Sequence, residues 1–249
     1  MSMATIHDNA LYDIDELRAQ LASSREGVIK VRCLRELSGA YRRAAIAVLL
    51  AQADTPSFAN YLRESGRARV ELLGLAQKRS AGVDRHRKSS LTAPLFDALA
   101  AADMVLARGI AELSPDAWLQ DEEFEEDFCY AHMLHTFLRY PDARNELTTL
   151  IARFENALDG QASPPVALCK ALLNCDQPAF DDAFDELIGE RQSDMDEKAK
   201  TLVIQDEIFQ TERALFVEGL GFLQLAKLRG LDTLDEYPMM PSLACIATS

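Results

Sequence analysis

Several protein classes are excluded by what this chain lacks. Its five cysteines, Cys33, Cys129, Cys169, Cys175 and Cys245, are odd in number, widely spaced and without a Cys-x-x-Cys pair. That rules out a disulfide scaffold and fits reduced thiols in a cytoplasm. The longest strongly apolar run, Ala44 to Ala51, falls far short of the ~20 residues a membrane span needs. The first residues carry Asp8, Asp13, Asp15 and Glu16 but no basic group and no apolar core, so they do not read as a signal peptide. There is no P-loop, no Gly-x-Gly-x-x-Gly and no Gly-x-Ser-x-Gly. Four histidines leave little material for a hydrolytic triad. Positive charge is scarce too: 26 Lys and Arg stand against 40 Asp and Glu, for a net charge of −14. A chain this acidic does not bind nucleic acid through its overall field. The expectation is a cytoplasmic protein without membrane, nucleic-acid or cofactor partners.

What is present is ordinary globular material. Apolar residues make up 48% of 249 residues, and a chain of this length buries about 70–75% of its unfolded surface without staples. The charge is unevenly spread. Residues 1–88 carry a net +5 and residues 89–249 a net −19. The second part would attract a basic partner, and an acidic surface also aids solubility.

Apolar residues recur at three- and four-residue steps almost throughout. Leu34, Leu37, Tyr41, Ala44 and Val48 form one stripe. Leu95, Leu99, Ala102, Leu106, Ile110 and Leu113 form a second, Phe124, Phe128, Ala131, Leu134 and Leu138 a third, and Leu147, Leu150, Ile151, Phe154 and Leu158 a fourth. Strand-like alternation is nearly absent. The pattern predicts an all-α fold of about nine or ten helices, at roughly 11–22, 26–53, 56–80, 92–113, 121–139, 142–158, 165–174, 178–192 and 198–229. They are expected to stack in pairs as one elongated array, solenoid- or bundle-like, in a single domain over 1–249. The stretch 80–90 (SAGVDRHRKSS) reads as a flexible loop. An internal echo supports the pairing: Leu50, Asp54, Pro56 and Phe58 reappear as Leu172, Asp176, Pro178 and Phe180 at a constant offset. A looser copy is ALAAADMVLARGIAEL at 98–113.

Four constellations could carry function. The run Asp121, Glu122, Glu123, Phe124, Glu125, Glu126, Asp127 crowds six carboxylates near a helix start. It suits the helix dipole and could dock Lys or Arg of a partner, with Phe124 and Phe128 expected in the core. The string Asp181, Asp182, Ala183, Phe184, Asp185, Glu186 fits Asp-Asp-x-x-Asp. On a helix it could present carboxylates to Mg²⁺ and a diphosphate, or be the acidic first turn after Pro178. A second metal-binding helix would begin at Asp206-Glu207, but the Ser/Thr and Glu spacing it requires does not follow. Cys129, His132 and His135 share one helix and could be zinc ligands or half-buried packing groups. The basic residues Arg63, Arg67, Arg69, Lys78, Arg79, Arg85, Arg87 and Lys88 are expected to balance acidic helices within the molecule.

The chain resembles the immunity protein 49 family of bacterial polymorphic-toxin systems. The resemblance rests on LLAQAD followed by PSFANYLRESGRARVELLGLA, on ALAAADMVLARGIAEL, on ALLNCDQPAFDDAFDELI, and on ALFVEGLGFLQLAKLRGL with the tail TLDEYPMMPSL. A second all-helical immunity group, which neutralises toxin nucleases, shares such patterns, and Tyr237-Pro238 does not separate the two. The resemblance implies an all-helical cytoplasmic protein that binds and silences one cognate toxin, with no catalysis and no functional residue to carry over. Such toxins tend to be basic and to act on nucleic acid or nucleotide, and an acidic face could cover their active site. On that reading the partner-binding residues are Asp121, Glu122, Glu123, Glu125, Glu126 and Asp127, then Asp181, Asp182, Asp185 and Glu186. A helical-repeat adaptor for another protein and a Mg²⁺-dependent helical enzyme are the alternatives.

Overall fold

The computed structural model describes residues 1–77, 85–201 and 206–247. Eleven α-helices account for most of them, and no strand occurs among the described residues. In chain order they are α1 (Met3–Ser23), α2 (Gly27–Gln52), α3 (Thr55–Gln77), α4 (Ala93–Ala100), α5 (Met104–Leu113), α6 (Glu125–Arg139), α7 (Arg144–Ala157), α8 (Pro164–Asn174), α9 (Gln177–Thr201), α10 (Glu207–Ala214) and α11 (Val217–Leu228). Short 3₁₀ turns lie at Arg85–Arg87 and Ser242–Ala244.

The echo in the sequence is one joint built more than once. α2 ends on Ala53 and α8 on Cys175, both left-handed, with φ of 55° and 53°. Asp54 then accepts the Ser57 N–H at 3.0 Å, and Asp176 the Ala179 N–H at 3.2 Å. Each aspartate thus takes an amide that has no partner inside its own helix. The prolines fall in the first turn of α3 and α9, where a missing N–H does no harm. Phe58 and Phe180 follow, both fully buried. The looser copy repeats the device: Ala102 has φ 53°, and Asp103 accepts the Leu106 N–H at 3.0 Å. This joint divides the helix expected over 92–113 into α4 and α5. A left-handed alanine is disfavoured by roughly 1–2 kcal/mol, so periodicity alone does not announce the break.

Helices adjacent in the chain pack as pairs: α1 on α2, α2 on α3, α6 on α7 and α8 on α9. α11 instead returns to pack against α4. Most of its residues are buried, from Val217 through Leu220 and Phe222 to Ala226, as expected for a helix apolar nearly all round. Gly221 permits this approach, and Gly219 permits that of the tail. A Cβ on Gly221 would lie 2.6 Å from the Phe96 ring, and one on Gly219 would lie 2.5 Å from the Met240 sulfur. The helix expected over 198–229 is therefore not continuous. α9 runs to Thr201, Asp206 caps α10 by accepting the Phe209 N–H, and extended Leu215 separates α10 from α11. The chain after α11 stays on the body. Phe216 N donates to Met239 O at 2.9 Å, Thr55 Oγ1 to Leu243 O at 2.9 Å, and Gln224 Nε2 to Ile246 O at 2.7 Å.

Four charged side chains from four helices meet beside this core. Arg42 of α2 binds Asp97 of α4, donates from Nε to Glu212 of α10 at 2.6 Å, and reaches the Ala93 carbonyl at 3.3 Å. Arg191 of α9 donates to Glu212 Oε2 and to its carbonyl, both at 2.9 Å. Asp97 is 1% exposed and accepts Ser65 Oγ of α3 at 2.5 Å; Ser65 in turn meets Ser38 Oγ at 2.8 Å. Burial lifts the Asp97 carboxyl to about 6 against the pull of Arg42 and Ser65, which leaves it ionised at neutral pH. Burial also works against the Glu212 charge, but Arg42 and Arg191 hold that carboxyl below its ordinary range. Removing one partner from a buried pair strands the other charge at a cost of about 3–5 kcal/mol. Arg42→Ala or Asp97→Ala should therefore lower the unfolding free energy in urea by about that amount. A loss below about 1 kcal/mol would mean that water reaches the quartet.

Candidate partner-binding surfaces

The acidic run before α6 divides by environment. α6 begins at Glu125 rather than at 121, because residues 120–123 form turns. Glu123 is buried. Its carboxylate accepts the Ser90 N–H at 2.9 Å and the Leu119 N–H at 3.4 Å, and its carbonyl accepts Trp118 Nε1 at 3.0 Å. It braces the turn from within. Glu125 is paired with Arg153 at 2.8 Å. The carboxylates of Asp121, Glu122 and Glu126 have no hydrogen bond or ion pair among the described residues. Asp127 stands near Lys88, but partial desolvation and the charges of Glu126 and Glu123 raise its carboxyl above the ordinary range. Phe124, expected in the core, is 73% exposed, whereas Phe128 is buried. The reason is the turn: Phe124 precedes the helix as its N-cap residue, so its side chain does not follow the helical stripe.

The same corner fixes the segment before α4. Arg69 donates to the carbonyls of His86 and Lys88, Lys88 Nζ to the Glu122 carbonyl at 2.6 Å, and Ser89 Oγ to the Pro115 carbonyl at 2.8 Å. Residues 86–90 are held in this way, while 80–84, together with Lys78 and Arg79, lie outside the described residues. Arg63 reaches the Ala101 carbonyl and Asp103, and Arg67 pairs with Glu64.

On α9 the carboxylates face outward. Asp181, Asp182, Asp185 and Glu186 are all exposed, while Phe180, Ala183, Phe184, Leu187 and Ile188 pack inward. Asp181 accepts Gln177 Nε2 at 2.8 Å. Asp182, Asp185 and Glu186 have no ion pair or hydrogen bond among the described residues. Asp181 and Asp185 line a groove of about 370 Å³ between α9 and residues 232–237, together with Phe184, Asp232, Leu234 and Tyr237. Asp182 and Glu186 lie outside it. Sequence spacing does not reveal Asp232, Leu234 or Tyr237 as its far wall, because they arrive from a tail some fifty residues downstream. The contacts run α6 to α7, α7 to α8 and α8 to α9, so the two acidic clusters sit on helices with others packed between them.

The remaining constellations are paired internally or buried. Asp206 caps α10, and Glu207 accepts Asn9 Nδ2 at 2.7 Å and faces Arg43 at 3.8 Å. The helix start that would complete a Mg²⁺ site is thereby occupied. Cys129 is buried, and burial raises its thiol. His132 stacks on Phe128 with ring centres 5.1 Å apart and lies 3.9 Å from Asp116. His135 is 2% exposed. Among the described residues no three His, Cys, Asp or Glu side chains converge on a metal position, and no helix is long and apolar enough to cross a membrane.

An all-α array of packed helix pairs with outward carboxylates is the class of protein that emerges. The sequence model of the family described as immunity protein 49 matches residues 34–244, and the chain belongs to that family. Comparison with curated proteins and with solved structures gave no match. The matched region begins within α2 and takes in both acidic clusters and the groove.

His135 makes the helix that carries the first cluster sensitive to acid. Burial, then the nearby Arg69 and Arg139, depress its imidazole to about 3. An unfolded histidine titrates near 6.5. The stabilisation from a neutral His135 is therefore complete above pH 6.5 and is lost as pH falls from there towards 3. Urea unfolding across that window should show wild-type stability falling more steeply than that of His135→Gln, by about 1.4 kcal/mol per pH unit. Equal slopes would mean that His135 titrates as freely folded as unfolded.

Proposed function

We propose that this protein is a cytoplasmic, non-enzymatic immunity protein, folded as one unit, that binds and neutralises a cognate antibacterial toxin delivered by neighbouring cells. Neutralisation is by occlusion: an acidic face covers an electropositive active site, one that acts on nucleic acid or nucleotide. The observation that carries this reading is the state of the carboxylates on α9. Asp182, Asp185 and Glu186 are exposed on a rigid helix and have no partner among the described residues. Arg42, Arg43 and Arg191, by contrast, are engaged internally. Unpaired surface charge of one sign contributes little to stability but speeds encounter with an oppositely charged partner and disfavours wrong ones. Membership of the immunity protein 49 family supplies the kind of partner. Asp121, Glu122, Glu126 and Asp127 form the second patch. Glu123 is excluded by its burial, and Glu125 is already paired.

The test is co-expression with the toxin encoded by the adjoining gene, with the immunity protein at low dose. Asp182→Lys/Glu186→Lys and Asp121→Lys/Glu126→Lys/Asp127→Lys should each weaken protection. At low salt each should slow association by about tenfold or more, with a smaller effect at high salt. Full protection by both variants would reject the acidic-face mechanism.

A further inference from the structure

We infer that the groove between α9 and the C-terminal tail is the anchor site for one basic side chain of the partner, arginine in preference to lysine. This rests on the reading that the protein works by binding a basic toxin, and it adds the place and chemistry of the principal contact. Three carboxylates rim the groove, Asp181 and Asp185 from α9 and Asp232 from the tail, and no Lys or Arg is among the residues lining it. These carboxylates do not gather closely enough to share a metal ion. A larger cation, able to meet them one at a time, fits better.

The lining is aromatic as well as acidic. Tyr237 stands edge-on to Phe184 with ring centres 5.1 Å apart, and Leu234, 67% exposed, forms an open apolar wall. Carboxylates beside aromatic rings suit a guanidinium, which is planar, weakly hydrated and able to stack while it donates in a fork. The groove is also preformed. Gln177 accepts the Asp232 N–H at 2.7 Å and donates to the Asp232 carbonyl at 3.1 Å, and Tyr237 pairs with Met240 through both backbone bonds. Neither wall has to be ordered when a ligand arrives, which removes one of the costs of binding. The charges of Asp181 and Asp185 also push the Tyr237 hydroxyl up, in addition to its burial. The groove therefore holds negative charge that is not neutralised from within.

The experiment measures Kd of the full chain for a catalytically inactivated form of the toxin encoded by the adjoining gene. Asp181→Asn/Asp185→Asn should raise Kd by about 30-fold or more, the effect of losing a hot spot, with the thermal midpoint unchanged. Asp8→Asn/Asp15→Asn on α1 should leave Kd unaltered. A double groove variant that binds as tightly as wild type overturns the anchor and leaves the immunity reading intact. Failure of the wild type to bind that toxin overturns the immunity reading instead. A partner-free titration separates the two further. Acetyl-Gly-Arg-Gly-amide should shift the NMR signals of Leu234 and Tyr237 more than its lysine analogue does. Its citrulline analogue should not shift them. Equal shifts with citrulline would overturn the anchor by themselves.

Discussion

The arrangement of helices depends on one electrostatic constraint: two arginines and two carboxylates, alternating in sign, must meet where α2, α4, α9 and α10 converge. Apolar burial stabilises the array but is non-directional, and Leu- and Ala-rich stripes can slide past one another at modest cost. The quartet cannot slide. Moving α4 by one turn would take Asp97 away from Arg42 and Ser65 and leave a 1%-exposed carboxylate with neither. Such a network adds little net stability, because desolvation offsets most of the attraction. Its effect is to make alternative registers expensive. Beside it Tyr130 of α6 donates to Glu218 of α11 at 2.5 Å, so α11 is tied to α6 by a polar contact too.

The same chemistry explains the polarity of the surface. Arginine suits interior pairing because its fork satisfies several acceptors at once, and here it does so repeatedly. Arg229 caps the end of α8 through the Leu172 and Leu173 carbonyls while lying 5.4 Å from the Phe137 ring. Arg69 holds the 86–88 segment, and Arg139 lies 2.8 Å from Asp116. With so many of the 26 cations turned to internal use, the 40 carboxylates cannot all be matched. The surplus appears on α9 and before α6. That surplus lies at the surface, apart from the buried carboxylates such as Asp97 and Glu123 that the fold itself uses.

Much of the fold can be read from the sequence because a helical stripe needs only local information. α2, α3, α7 and α8 begin and end within a few residues of where their apolar periodicity places them, and the repeated Leu–Asp–Pro–Phe string marks a joint whose geometry recurs. What periodicity misses is non-local or non-helical. The break at Ala102 is a single left-handed alanine inside an otherwise continuous stripe. Phe124 fits the stripe by spacing yet sits one residue before the helix. Glu123 is indistinguishable from its acidic neighbours until Ser90 and Leu119 present their amides to it. Of the groove, Asp181 and Asp185 were legible as paired carboxylates. Asp232 and Tyr237 were not, since nothing local says where a tail will lie. A lone Asp97 inside APLFDALA was the available sign of the quartet, because a charge amid buried positions needs a partner from elsewhere.

The residues that hold the architecture and the exposed carboxylates are different ones, and that separation has a physical consequence. The joints at Ala53, Ala102 and Cys175, the close approaches at Gly219 and Gly221, and the quartet are all buried or conformationally demanding. Substitution there is costly. The carboxylates of α9 and of Asp121 are exposed, and exposed substitutions alter stability by about 0.5 kcal/mol or less. α1 adds a further layer that precedes the family-matched residues. It packs Ala10 and Ile14 on Leu37, Tyr41 and Ala44, and its Asp13 pairs with Arg43 at 2.5 Å. The acidic surfaces therefore lie on the part of the chain matched by the family, at exposed positions of the scaffold. Surface charge on such a scaffold can change while the register of its helices is still held by Arg42, Asp97, Glu212 and Arg191.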